Sequence, residues 1–217
     1  MTLALVLLSG LSASCDWWSV ARSRTALERI AKPLTMALMT AAALSAGILA
    51  SGPGLWFTAG MLLGLLGDIA LLGQKKIHFM TGLGFFLLGH IAYVISLAQL
   101  RDGQMGMALA GLALVAAAFI VMRSSFVALW KNFGSGLGIS CIVYALTIAA
   151  MVLLAWLTSS WLCAIGASIF MASDALLSSG IARRGFDEDN PRERTIVMVT
   201  YHIGQGLLAA GIISLVA

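Results

Sequence analysis

The chain has 217 residues, of which 60% are hydrophobic and only 10% charged, and its formal net charge is +4. A soluble domain carries roughly a quarter of its residues charged and cannot hide this much apolar area in one core, so a water-soluble enzyme or binding module is excluded. The positive excess lies in short segments between apolar runs rather than on one basic face, which argues against nucleic-acid binding.

Apolar stretches of about 20 residues, the length that crosses a hydrocarbon core of about 30 Å, number eight. The first, 3–21, has no basic residue before it and is longer than a usual signal-peptide core, so it reads as a retained helix. The second, 33–51, opens at Lys32-Pro33, where proline is preorganised for the first helical position. The third, 55–73, repeats Gly60, Gly64 and Asp68 every four residues, a small-residue stripe that admits a neighbouring helix and turns Asp68 inward. The fourth, 78–99, carries His90 and, one turn on, Tyr93. The fifth and sixth, 104–122 and 136–157, are almost wholly apolar, and the seventh, 160–180, contains Asp174. The eighth, 194–216, presents Tyr201, His202 and Gln205 on one face. Continuous runs rich in Leu, Ala and Gly predict helices, whereas barrel strands would alternate. The expected architecture is all-α, a polytopic bundle of eight transmembrane helices forming a single domain over 1–217. The cysteines, Cys15, Cys141 and Cys163, lie in these runs without a CxxC spacing and read as small packing residues.

Charge orients the bundle. The connections 22–32, 74–77, 123–135 and 181–193, together with Arg194 at the start of the eighth span, hold twelve of the thirteen Lys and Arg residues, and Arg101 alone lies on the other side. By the positive-inside rule those four connections are cytoplasmic and both termini are outside, as expected of an integral protein of a bacterial inner membrane.

Against this background two acidic residues stand out. A carboxylate at mid-bilayer costs about 2.5 to 3.5 kcal/mol on the mildest scales, so an intramembrane aspartate is a functional-site hypothesis by default. At about 1.5 Å per residue, Asp68 and Asp174 both lie about 8 to 12 Å inside the cytoplasmic boundary. Tyr201, His202 and Gln205 share that layer, and His90 lies deeper. The segments Gly67-Asp68-Ile69-Ala70-Leu71-Leu72 and Ser173-Asp174-Ala175-Leu176-Leu177-Ser178 are similar, and their helices run the same way, so a repeat would be parallel with its axis along the membrane normal.

These residues together resemble the YhhN family of membrane proteins. The similarity runs through Lys32-Pro33, Gly67-Asp68 with Leu71, Phe86 through Gly89-His90 to Tyr93, Ser173-Asp174 with Leu177, and Tyr201 with Gln205. The family's characterised members are lysoplasmalogenases. The resemblance therefore implies an eight-helix hydrolase that cleaves the vinyl ether of a lysoplasmalogen to a fatty aldehyde and glycerophosphoethanolamine or glycerophosphocholine. His202 departs from the aromatic residue expected after Tyr201, which detaches it from a shared catalytic role.

The chemistry suits two carboxyls. Vinyl ether hydrolysis begins with protonation of the β-carbon to an oxocarbenium ion, and water then adds to give a hemiacetal that collapses to aldehyde and alcohol. Two carboxyls close together in an apolar pocket would share one proton near neutral pH, supplying an acid and a base. The sequence does not distinguish the two roles; the working assignment is Asp174 as acid and Asp68 as base. Lys32, His90, Tyr93, Tyr201, His202 and Gln205 are the candidate substrate-binding or supporting residues. The reaction needs no cofactor or metal, its partner is a lysophospholipid arriving from the surrounding membrane lipids, and the active site faces the cytoplasm. Two other readings stand beside it. Asp68, Asp174, His90 and His202 as zinc ligands would make a metal-dependent intramembrane lipid hydrolase, and paired intramembrane acids in parallel halves would suit a proton-coupled transporter.

Overall fold

A computed structural model describes residues 1–73, 75–102, 105–186 and 190–216. Among them are eight α-helices, one 3₁₀ turn at Ile48–Ala50 and no strand. The helices are α1 (Thr2–Ala21), α2 (Thr25–Ser45), α3 (Gly52–Ala70), α4 (Lys76–Leu100), α5 (Met105–Phe133), α6 (Ser135–Trp156), α7 (Trp161–Arg184) and α8 (Pro191–Val216). Residue 104, where the fifth span was expected to open, and residues 187–189 of the last polar connection lie outside the described residues.

Seven of these helices are long and apolar enough to cross a membrane; α2 falls short because Glu28, Arg29 and Lys32 stand in its first half. Their outward faces are apolar too, with Leu109, Leu112, Ile120 and Val121 of α5 all exposed. In lipid such a face costs nothing, because acyl chains are as apolar as leucine.

Two connections differ from the sequence reading. Pro33 does not open α2 but lies inside it, and the connection expected over 22–32 shrinks to Arg22–Arg24. The reason is tertiary. Glu28 and Lys32 are buried, Glu28 accepting from Arg194 of α8 and Lys32 pairing with Asp68 of α3, so a charged stretch that would otherwise need water runs as helix. Pro33 removes one amide hydrogen from this helix, and its neighbours supply the packing that carries it through. The connection expected over 123–135 is also absent. Helix α5 continues to Phe133 and turns at Gly134 alone, whose φ of +87° suits glycine. At about 43 Å, α5 is longer than the hydrocarbon core, so its last turns, with Arg123 and Lys131, extend toward the basic end. Cys15 is exposed, unlike the buried Cys141 and Cys163, so only two of the three cysteines pack inside.

The third and fourth helices contact each other as the seventh and eighth do. A Cβ on Gly60 would fall 2.8 Å from the Gly89 carbonyl oxygen, and one on Gly166 2.9 Å from that of Gly204. Moving the added Cβ to Gly89 brings it 3.6 Å from the amide nitrogen of Gly64; at Gly204 it comes 2.8 Å from that of Phe170. Gly64 and Phe170 each follow the first glycine of their pair by one helical turn, and Asp68 and Asp174 each follow it by a further turn. The two helix pairs thus share one register, with an aspartate at the same step of each.

The core is continuous from Met36, Phe57 and Met61 through Tyr93 and Leu97 to Phe170, Tyr201 and Leu208. A second cluster, with Phe79, Leu129, Leu137 and Ile181, seals the basic end and is backed by Phe133 and Phe186.

Candidate active site

Asp68 lies two residues before the end of α3 and is 1% exposed. Its register behind Gly60 and Gly64 points it at α2 and α8. The Lys32 ammonium from α2 stands 3.4 Å from one carboxylate oxygen. The Tyr201 hydroxyl from α8 donates to the other at 2.7 Å. A buried carboxylate is tolerable when it is both paired and hydrogen-bonded, and Asp68 is both.

Asp174 has a different partner. The hydroxyl of Tyr144, from α6, donates to its Oδ2. Next to it, Ser173 donates at 2.9 Å to the Val197 carbonyl and ties α7 to α8, which holds the aspartate at its height. Asp174 is only half-buried because it borders a cavity. Asp68 and Lys32 line the same cavity.

One cavity, about 480 Å³ with its open mouth included, is lined by Asp68 and Asp174 together, with Lys32, Tyr144 and Tyr201, and its walls are apolar, from Leu83 and Phe86 to Leu177 and Met198. Toward the basic end lies a larger open vestibule, about 1520 Å³ with its open side included, that shares Lys32, Leu71, Phe79 and Leu177 with it. Arg29, Lys75, Arg184 and Arg194 line this vestibule with Glu28 and Glu193. The arrangement therefore offers two carboxyls with unlike partners facing one apolar space, and a charged chamber beside them. A proton donor and a proton acceptor on one small reactant are within its means.

The structure sorts the remaining candidates. Lys32 and Tyr201 reach a carboxylate; His90, Tyr93, Gln205 and His202 are engaged elsewhere. His90 Nδ1 lies 2.6 Å from the Phe86 carbonyl of its own helix, so that nitrogen carries the hydrogen and buried Nε2 is left without a partner. Its ring meets Phe170 and Tyr144 edge-on at 4.8 and 5.3 Å. Gln205 Nε2 donates to the Tyr93 hydroxyl at 2.5 Å, joining α8 to α4 at a separate small void that His90 also lines. The expected single face of α8 is divided: His202 turns to α1, where Trp17 Nε1 donates to its Nδ1 at 3.0 Å. Successive helical positions differ by about 100°, so a neighbour of Tyr201 cannot also face Asp68.

The zinc reading loses its ligand set on the same geometry. Among the described residues no three His, Cys, Asp or Glu side chains are grouped to hold a metal ion.

Two site residues escaped the sequence reading. Tyr144 sits in a run too apolar to single it out. Asp16 had a signal, since it is an acid inside the 3–21 span. It is 0% exposed and neither oxygen has a hydrogen-bond partner. Ser12, one turn before Asp16, donates to the Ala31 carbonyl at 3.1 Å and sets this stretch of α1 against the start of α2.

The YhhN family model matches residues 27–212, which takes in both aspartates, Lys32, Tyr144 and Tyr201. No curated protein and no solved structure matches the chain.

Proposed function

The chain belongs to the YhhN family, and from that membership and the cavity between α3 and α7 we propose that it is an integral-membrane lysoplasmalogenase. It hydrolyses the vinyl ether of a lysoplasmalogen to a fatty aldehyde and glycerophosphoethanolamine or glycerophosphocholine. The observation that carries the reading is the pair of carboxyls facing one apolar cavity with unlike partners, Lys32 on Asp68 and Tyr144 on Asp174.

That difference supports one assignment of the roles. The ammonium beside Asp68 favours its ionised form, which makes Asp68 the base. Asp174 has a phenol in place of a cation and carries the shared proton. Asp174 protonates the β-carbon of the vinyl ether, and the electron pair on oxygen closes the oxocarbenium ion. Asp68 takes a proton from water as its oxygen bonds to the α-carbon, giving the hemiacetal. The hemiacetal hydroxyl returns its proton to Asp174 while the glycerol oxygen leaves with the proton from Asp68. Both carboxyls are then reset. Lys32 keeps the net charge of the site low, and the remaining negative charge steadies the cationic intermediate.

The eight helices all cross the membrane in this reading, α2 included, because its charges are met inside the bundle. The termini lie outside, and the vestibule opens to the cytoplasmic side of a bacterial inner membrane. There Arg29 and Lys75 receive the lipid phosphate, while Arg184 and Arg194 are already paired with Glu193 and Glu28.

Purified protein in detergent should release aldehyde from a lysoplasmalogen. Asp68→Asn and Asp174→Asn should each cost about a thousandfold in kcat, Asp174→Asn at near-normal stability and Asp68→Asn as folded protein of lowered thermal stability, because it strands Lys32. Full activity in either variant would remove the mechanism. The shared register of the two helix pairs also suits a proton-coupled carrier, for which pH-driven uptake into vesicles without aldehyde release is the expected result.

A further inference from the structure

A second, shallow groove, about 450 Å³ with its open side included, lies between α5, α6 and α7. Its walls are apolar and come from all three helices: Ala118, Phe119 and Met122, then Ala145 and Ile148, then Met171. Its inner end is polar. Asp174, Tyr144 and Ser178 line both this groove and the carboxylate cavity, so these three residues form the common border of the two spaces. Helix α5 packs chiefly on α6 and α7 and leaves its other face exposed, so the groove lies at the lipid-facing edge of the bundle.

Three compartments therefore follow one another. A charged vestibule shares Lys32 with the carboxylate cavity, and the carboxylate cavity shares Asp174 with the apolar groove. We infer that the groove between α5, α6 and α7 holds the hydrocarbon chain of a single-chain lipid, whose head group occupies the vestibule and whose ether linkage lies at the carboxyls. The inference rests on the lysolipid reading and extends it to the chain.

The order of the compartments matches the order of the molecule. In a lysoplasmalogen the β-carbon of the vinyl ether bears the chain and the α-carbon bears the glycerol oxygen. A chain lying in this groove sets the β-carbon beside Asp174 and the α-carbon toward Asp68, which agrees with acid and base as assigned from their partners. Affinity is not what the groove contributes, since a chain leaving the bilayer exchanges one apolar surrounding for another. What it contributes is register along the chain, and a displacement of about 1 Å at the reacting carbon can cost about a hundredfold.

Two measurements test this together. Ala118→Trp on α5 and Ala145→Phe on α6 each fill the groove from a different wall. In each folded variant the ratio of kcat/KM for a long-chain over a short-chain lysoplasmalogen should fall at least about tenfold. Independently of turnover, a saturated lysophospholipid with a diazirine at its chain terminus should label the 118–126 and 145–148 stretches of the unaltered protein. An unchanged ratio in both variants, or labelling confined to the vestibule helices α2 and α8, would overturn the inference. If the unaltered protein makes no aldehyde from any lysoplasmalogen, the proposed function falls and the labelling map alone decides the groove.

Discussion

The Lys32 ammonium stands 3.4 Å from the Asp68 carboxylate with both side chains more than nine-tenths buried. Such a pair owes its stability to completeness. Removing one partner strands the other's charge, whereas removing both charges is far less costly.

Lys32→Met should therefore destabilise the protein by about 3 to 5 kcal/mol. Adding Asp68→Asn to Lys32→Met should restore most of the lost thermal stability in detergent without restoring turnover. A double variant no more stable than Lys32→Met would mean that the ion pair is not what α2 depends on.

The unlike partners of the two aspartates predict unlike chemical rescue. Asp68→Asn lacks the group that deprotonates water, so a nucleophile that needs no base, such as hydroxylamine, should trap the oxocarbenium ion and recover turnover. Asp174→Asn should not respond, because the intermediate never forms. The oxime of the fatty aldehyde is the product to measure. Rescue of Asp174→Asn alone would exchange the two roles.

His202 faces Trp17 and not the cavity. His202→Phe should keep turnover within about threefold and lose about 1 kcal/mol of stability with the hydrogen bond. Chelators should leave the activity of the unaltered protein intact. Stoichiometric zinc in the purified protein, lost together with activity in His202→Phe, would revive a metal mechanism.

Close helix contact makes two glycines behave oppositely. A Cβ on Gly204 meets backbone atoms of Phe170 and Gly166 at 2.8 and 2.9 Å, which cannot turn aside, so Gly204→Ala should cost about 1 to 3 kcal/mol. Gly84 has nothing within 4 Å of an added Cβ, and Gly84→Ala should be neutral or stabilising by up to about 1 kcal/mol. Thermal unfolding in detergent compares the two directly.

How legible the site was differs by residue, and for identifiable reasons. Asp68, Asp174 and Tyr201 were readable because a polar group in an apolar run is costly wherever it points, so its presence is a signal before its partner is known. Asp16 carried the same signal. Tyr144 did not, because a buried phenol bound to Asp174 and a tyrosine packed only for its ring look alike in sequence. For Gln205, helical phase placed it on the face of Tyr201 but did not give Tyr93 of α4 as its neighbour, and for His90 it gave neither Phe170 nor Tyr144.

Composition and the length of the apolar runs by themselves determined that the chain is helical and suited to a membrane, and that its acids are out of place there. Those properties are local: in a hydrocarbon environment each segment must satisfy its own backbone, so the segment's residues decide its state. The tertiary structure decided the rest. Which cation meets Asp68, which phenol meets Asp174, whether the charged stretch 25–32 is helix or loop, and where the groove beside Asp174 opens all depend on groups from distant helices, whose approach at the glycine contacts no single segment contains.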